Sequence, residues 1–238
     1  MSETNAAFVT GGTGALGRAV ARRFLDDGYA VAVTYRNPKE WDEVRDASAR
    51  EAAAGRLLGI SADVTDPDST GAAVAQAAAA FGGLRVLAHV AGGYAGGTPV
   101  ETIEAKAVRH MLDLNLLSAF WAAKYVIPHA KASGRGRLLF ISSRGAVEAS
   151  AGAAAYAAAK AGLHALVATL AKEVGASGAT ANAVLPSVID TPQNRAAMPG
   201  AKFDTWVEPA KIAALLAFLA SDAAATTSGA LIPIYGRA

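Results

Sequence analysis

The chain has 238 residues, no cysteine and a net charge of +2, from 22 Lys and Arg against 20 Asp and Glu. The missing cysteines exclude disulfides and thiolate metal sites. Arg22-Arg23 is the one adjacent Lys/Arg pair, so the clustered charge of a nucleic-acid or anionic-membrane surface is not expected. Hydrophobic residues make up 53% and charged residues 18%, ample for a buried core in one or two domains.

The chain opens on Met1-Ser2-Glu3-Thr4-Asn5, which lacks the basic stretch of a signal peptide. No uncharged apolar run reaches the roughly 18 residues of a membrane span. A cytoplasmic protein is expected. Ala6-Ala7-Phe8-Val9 reads as a first strand and ends in Thr10-Gly11-Gly12-Thr13-Gly14-Ala15-Leu16-Gly17. Leu16, Ala19, Val20, Arg23 and Phe24 then follow a helical pattern that Asp26-Asp27-Gly28 stops. Strand, glycine loop and helix form the setting of a dinucleotide fingerprint. The glycines let backbone approach a pyrophosphate, and the helix N-terminus offers it unpaired N–H groups and a positive dipole end.

Residues 30–34 read as the second strand. About 20 residues beyond the glycine loop an acid would hold the ribose hydroxyls of NAD, whereas an Arg can receive the 2′-phosphate of NADP. Tyr35-Arg36 stands there with no acid at 34–36, which favours NADP(H), with NAD(H) possible. Residues 38–54 read as a helix and 56–61 as the third strand, followed by Asp63-Val64 and the turn Thr65-Asp66-Pro67-Asp68. Residues 69–81 are helical, with Pro67 suited to a first turn. The fourth strand, 84–90, leads into Ala91-Gly92-Gly93-Tyr94-Ala95-Gly96-Gly97, where a flat ligand can lie against backbone. A long helix with a break or bend is expected over 99–132. It contains Asn115, a poor interior helix residue that needs a polar partner among apolar neighbours. A fifth strand (136–142), a helix (151–174), a sixth strand (180–185), a loop (186–209), a helix (212–219) and a last strand (230–234) complete the chain.

Tyr156 and Lys160 lie four apart in the 151–174 helix, and so share one face. A phenol has an ordinary pKa of about 10, and a cation beside it favours the phenolate and lowers that value. The pair is therefore a candidate general acid/base. Strand and helix alternate without linker, repeat or low-complexity tail. Residues 1–238 are expected to form a single α/β domain, a doubly wound parallel sheet of the Rossmann type, about seven strands with helices on both faces. The Gly11 loop, Asp63, Ala91-Gly92 and Ser142-Ser143 all follow strands, and should gather at the carboxyl edge where such sheets bind ligands.

Thr10-Gly11-x-x-Gly14-x-x-Gly17, Asp63-Val64, Ala91-Gly92, Asn115, Ser143 and Tyr156-x-x-x-Lys160 together resemble the short-chain dehydrogenase/reductase family over nearly the whole chain. The resemblance implies an NAD(P)(H)-dependent oxidoreductase acting on a ketone or secondary alcohol. It implies that Tyr156 gives or takes the proton, Lys160 holds the nicotinamide ribose, Ser143 bonds the substrate carbonyl and Asn115 supports a water relay to Lys160. The implied cofactor contacts are Gly11, Thr13, Gly14, Ala15, Leu16, Gly17, Tyr35, Arg36, Asp63, Val64, Ala91, Gly92 and Gly93. Pro186, Val188 and Thr191, beyond the sixth strand, complete them. Ala15 and Ser187 stand where glycines are usual, and Val90 where an Asn is usual.

Residues 90–97, residues 185–199 and the glycine loop are similar to segments of quinonoid dihydropteridine reductases, so pterin reduction is the alternative activity. A non-catalytic dinucleotide sensor would lack the Ser, Tyr and Lys set that is present here. The substrate pocket is expected to include Ser143, Tyr94, Ser187 and Trp206, the last after a loop able to close as a lid. Trp41 and Trp121 read as packing residues. His89, His110, His129 and His164 show no paired ligand spacing, and no metal is expected. The helices around Asn115 and Tyr156 are Ala-rich on several faces. A helix apolar all round is buried, which points to a homo-oligomer packed through them, and the resemblance suggests a tetramer or dimer.

Overall fold

The computed structural model describes residues 5–237. The strands are apolar runs, and the inner ones are buried on both faces, as parallel sheets require, whereas the edge strand Leu231–Ile234 is exposed or half-buried along its length. They are β1 (Ala6–Thr10), β2 (Ala30–Tyr35), β3 (Leu57–Ser61), β4 (Val86–His89), β5 (Arg137–Ile141), β6 (Thr180–Pro186) and β7 (Leu231–Ile234). Their order is β3-β2-β1-β4-β5-β6-β7, and every neighbouring pair is parallel. The helices are α1 (Ala15–Asp26), α2 (Pro38–Ala47), α3 (Ala49–Ala53), α4 (Pro67–Phe81), α5 (Ala105–Leu112), α6 (Ser118–Ala132), α7 (Ala154–Gly175), α8 (Pro192–Ala197) and α9 (Pro209–Ala220). Successive strand residues point to opposite faces. Ala6 and Phe8 join the core under α4, α6 and α7, while Ala7 and Val9 join the core under α1 and α9.

The expected doubly wound sheet is therefore present, the expected break in 99–132 is found, and the 38–54 and 186–209 segments differ in detail. The 38–54 helix is two helices, because Ser48 leaves helical geometry at φ −129°. The 99–132 segment breaks into a short 3-10 turn, α5, a π turn (Asp113–Leu117) and α6. The 186–209 loop contains α8, a 3-10 turn (Phe203–Thr205) and a parallel bridge from Ile189 to Val207. Thr191 caps α8 and Pro192 opens it, a pairing suited to a helix start. Among the described residues one helix, α7, has the length and mean hydropathy (1.2) of a membrane span; it packs on β6, α5 and the π turn.

The strand order reverses between β1 and β4. A crevice opens beyond the carboxyl ends at such a reversal. The ends of β1, β4, β5 and β6 thus deliver Thr10, His89, Ile141 and Pro186 to one edge.

Candidate active site

The glycine loop is built by two steric demands. Gly11 has φ +64°, a conformation that only glycine adopts freely. A Cβ there would also stand 3.0 Å from Ala91 Cα. A Cβ on Gly17 would overlap the Gly11 carbonyl oxygen, so the first turn of α1 sits directly on the loop. Gly14 is the N-cap of α1 and offers no side-chain cap, which leaves first-turn N–H groups for an anion. Ala15 is exposed at the first position of α1, and no residue other than glycine has positive φ among the described residues. The departure from glycine at 15 is accommodated because that position is ordinary helix.

On the adenosine side Arg36 is exposed just beyond β2, and its charge helps hold Asp63 below the usual carboxylate range. The larger causes are the hydrogen bonds that Asp63 Oδ1 accepts from Thr65 Oγ1 (2.7 Å) and Thr65 N (2.9 Å). Val64 is buried. Tyr35 stacks on Trp41 at 5.7 Å, so its ring face is already used in packing. Glu40 is a residue that sequence reasoning missed. Its carboxylate accepts from Thr13 Oγ1 at 2.8 Å and Asn37 Nδ2 at 3.4 Å, joining the glycine loop to the end of β2. Thr13 and Glu40 are 27 positions apart, and no local pattern announces such a link.

The chemistry-bearing side chains converge beside Gly92. A Cβ on that glycine would lie 3.0 Å from Asn115 Oδ1 and 3.2 Å from Lys160 Nζ. Asn115, fully buried in the π turn, accepts from Gly93 N at 3.1 Å and donates to Gly93 O at 3.0 Å. These are the polar partners its setting demanded. Lys160 is buried and donates to Ile141 O at 2.8 Å. Burial alone lowers its pKa to about 8. Ser143 and Tyr156 come together beside Gly145, where a Cβ would lie 3.4 Å from Ser143 Oγ and 3.5 Å from Tyr156 Cε1, and Ser143 Oγ accepts from Gly145 N at 3.0 Å. Tyr94 meets the Tyr156 ring edge-on at 5.0 Å.

The expectation that Lys160 lowers the Tyr156 pKa is not met. Burial raises that pKa above its usual value, Ser143 opposes the rise, and Tyr94 adds to it. The reason is geometric, since the ammonium is drawn onto Ile141 O and stands 6.0 Å from the phenol ring centroid. With a backbone cradle for an anion at one end, and a buried cation, a neutral phenol and a serine at the other, the crevice fits a nicotinamide dinucleotide.

Other expected contacts are spent elsewhere. Ser187 Oγ donates to Tyr235 O at 2.7 Å. Thr191 Oγ1 accepts from Asn194 N at 3.1 Å, capping α8, and Val188 O accepts from Val207 N. Trp206 stacks edge-on with Phe203 at 4.8 Å. It lines a cavity of about 250 Å³ with Lys211, Ile234 and Arg237, which none of Ser143, Tyr156, Lys160 and Asn115 touches. Leu16 and Gly12 are buried under the loop.

A family model described as short chain dehydrogenase matches residues 5–201. The chain is 34% identical to cis-4-hydroxycyclohexanecarboxylate dehydrogenase of Sinomonas cyclohexanicum, over 97% of this chain and 94% of that one. It is 32% identical to the 3-oxoacyl-(acyl-carrier-protein) reductase MabA of Mycobacterium bovis, over 96% and 90%. A short-chain type dehydrogenase/reductase from Mycobacterium ulcerans superposes with a TM-score of 0.92 at 28% identity, over 99% of this chain and 90% of that one. Fold, crevice and relatives agree: the chain belongs to the short-chain dehydrogenase/reductase family, whose members are oxidoreductases that work with nicotinamide cofactors.

Proposed function

We propose that this protein moves a hydride between NADP(H) and a ketone or secondary alcohol, with Tyr156 as the general acid/base. The observation that carries the reading is that Lys160 meets Asn115 beside Gly92 and stands 6.0 Å from the ring of Tyr156, which shares the surroundings of Gly145 with Ser143. A bound nicotinamide supplies the hydride. Tyr156, held neutral by burial, gives its proton to the oxygen of the reduced carbon and takes it back in the oxidising direction. Ser143 donates a hydrogen bond to the same oxygen. Lys160 offers its ammonium to the ribose hydroxyls, and Asn115 holds the Gly93 backbone in place. Arg36, exposed beyond β2 with no acid at 34–36, supports NADP(H) over NAD(H). The two named relatives, a hydroxycyclohexanecarboxylate dehydrogenase and a 3-oxoacyl reductase, suit an alcohol and ketone pair.

Tyr94 is 67% exposed beside Tyr156, and this flat aromatic surface favours a second reading, reduction of a quinonoid dihydropterin by the same Tyr156 and Lys160. A cytoplasmic setting suits the cysteine-free chain. The reading also includes a homo-oligomer, a tetramer or dimer. Ala154, Ala158, Ala161, Ala165 and Ala168 are all exposed on α7, and steps of four and three place them on one face. Such a smooth apolar stripe suits a second copy of the chain. Light scattering at micromolar concentration reads this directly, and a monomer would count against it.

The test is turnover of NADPH and NADH in parallel, against a panel of ketones and a quinonoid dihydropterin. NADPH oxidation with a ketone is expected. Tyr156→Phe should lose much of the ~10²–10⁴-fold that positioned acid/base catalysis provides. NADH oxidation with the pterin would establish the second reading instead. Failure to bind either nucleotide would overturn both.

A further inference from the structure

His89, at the end of β4, is buried, and the chemistry above makes no use of it. Its two ring nitrogens meet two hydroxyls. Nδ1 lies 3.0 Å from Thr10 Oγ1, and Nε2 lies 3.2 Å from Ser118 Oγ. Counting donors fixes the direction of each proton in this row. Thr10 Oγ1 accepts from both Val90 N and Ala91 N at 3.1 Å, so its own proton goes to His89 Nδ1. The ring then carries its proton on Nε2 and donates to Ser118 Oγ. The Ser118 hydroxyl in turn donates to Leu114 O at 2.7 Å. A second proton, on Nδ1, would face a Thr10 oxygen already turned toward two N–H groups. Burial, with the Lys160 charge adding to it, lowers the His89 pKa to about 3, so the ring is neutral as the row requires.

The two ends of the row are the two halves of the candidate site. At one end are the first residue of the glycine loop and the backbone entering Gly92. At the other is the π turn. There the Ser118 N–H reaches back to Asp113 O, one residue further than the i→i−4 bond of an α-helix. The Ser118 hydroxyl supplies Leu114 O with a donor in place of the one that the widened turn redirects. Asn115 sits in that turn and clasps Gly93.

We infer that His89 is a positioning residue for the reaction: through Thr10 and Ser118 it holds residues 91–93 and the Asn115 turn in one register, and so sets where Asn115 and Lys160 meet a dinucleotide. The inference rests on the active-site reading given above. His89→Leu removes both bonds, His89→Gln keeps an N–H donor near the ε position, and Ser118→Ala removes the far partner. Each is compared with the wild type alone and combined with Asn115→Ala. The readouts are the NADPH dissociation constant by fluorescence titration, which needs no turnover, kcat and KM with a ketone, and the melting temperature.

His89→Leu and Ser118→Ala should weaken NADPH binding and lower kcat. The loss in kcat/KM for NADPH should be roughly 10- to 100-fold, the scale of a site displaced by about 1 Å. The KM for the ketone should be little changed, and His89→Gln should recover most of the loss. In the Asn115→Ala background, His89→Leu should add less than about twofold to the dissociation constant, because the two act through one contact. A His89→Leu that lowers only the melting temperature would overturn the inference, as would a loss that multiplies fully with that of Asn115→Ala. Either result describes packing alone. If the wild type binds no NADPH, the active-site reading itself fails and takes this inference with it. If the wild type binds and the variants match it, the inference alone fails.

Discussion

Lys160 is buried among apolar helix residues with its ammonium on the Ile141 carbonyl. Its pKa, about 8 against a usual 10.5, lies below the unfolded value, and burial is the cause. The unfolded chain therefore holds this proton between pH 8 and 10.5 while the folded chain releases it. Stability from this group is fully present above 10.5 and is lost as pH falls through 8. The shift corresponds to roughly 3 kcal/mol, against about 1.5–3 kcal/mol for a charged hydrogen bond. Lys160→Met removes both the buried charge and the bond. It should therefore be close to the wild type in stability at pH 7 while losing activity. As pH rises from 8 to 10.5 the wild type should gain on the variant, by up to about 1.4 kcal/mol per pH unit. Denaturant melts of both proteins across that range check the sign. A difference that stays flat would mean that burial does not depress the pKa of this amine.

At the scale of elements, the turn from β1 into α1 is the most constrained. Ala15 begins α1 in ordinary helical geometry, so Ala15→Gly restores a commoner glycine spacing at a cost of about 0.5–1 kcal/mol and should leave NADPH binding unchanged. Gly17→Ala places a methyl against the Gly11 carbonyl. It should cost about 1–3 kcal/mol and weaken nucleotide binding, because the loop must move to admit it. Melting and NADPH titration of the pair separate the two positions; equal binding losses would reject the steric argument. The same contrast explains what was legible beforehand. Inner parallel strands buried on both faces leave unbroken apolar runs, and the half-exposed edge strand Leu231–Ile234 is apolar as well, so the strands could be read from the chain. Ser143, Tyr156 and Lys160 share a local spacing that chemistry makes conspicuous. The π turn, the step at Ser48 and the Glu40–Thr13 bond depend on partners that no local pattern encodes. His89 read as a scattered structural histidine because Thr10 lies 79 positions away. Tyr35, Ser187 and Thr191 lie near the site in sequence logic, but tertiary packing, a strand contact and a helix cap occupy them.

Across the whole molecule, the edge opposite the crevice adds a buried charge cluster to its apolar packing. Arg85 and Arg137 are 4% and 1% exposed at the starts of β4 and β5. Arg85 Nη2 donates to Ala220 O at 3.2 Å and Asp222 Oδ1 at 2.6 Å, and Arg137 Nε donates to Ser221 O at 3.4 Å. Two cations thus face the carbonyl end of α9, where the helix dipole favours them. The Tyr29 hydroxyl donates to Ala220 O at 3.3 Å, tying the α1–β2 turn to the same point. Burial holds the Arg137 pKa below its usual value, Arg85 adds to the effect, and Asp222 opposes it. Asp222 is the shared counter-charge, yet its side chain is 67% exposed, so solvent screens part of its effect. Asp222→Asn keeps the shape and removes the charge, and should cost about 1–2 kcal/mol, a charged hydrogen bond of about 1.5–3 kcal/mol discounted for solvent screening. For a chain of this length that is a fall of about 2–8 °C in melting temperature. Turnover at 25 °C should be unchanged, since the cluster lies at the amino ends of the strands and the crevice at their carboxyl ends. A loss of activity without a loss of melting temperature would contradict the separation of the two edges. An unchanged melting temperature would show that the buried arginines are held by backbone carbonyls alone.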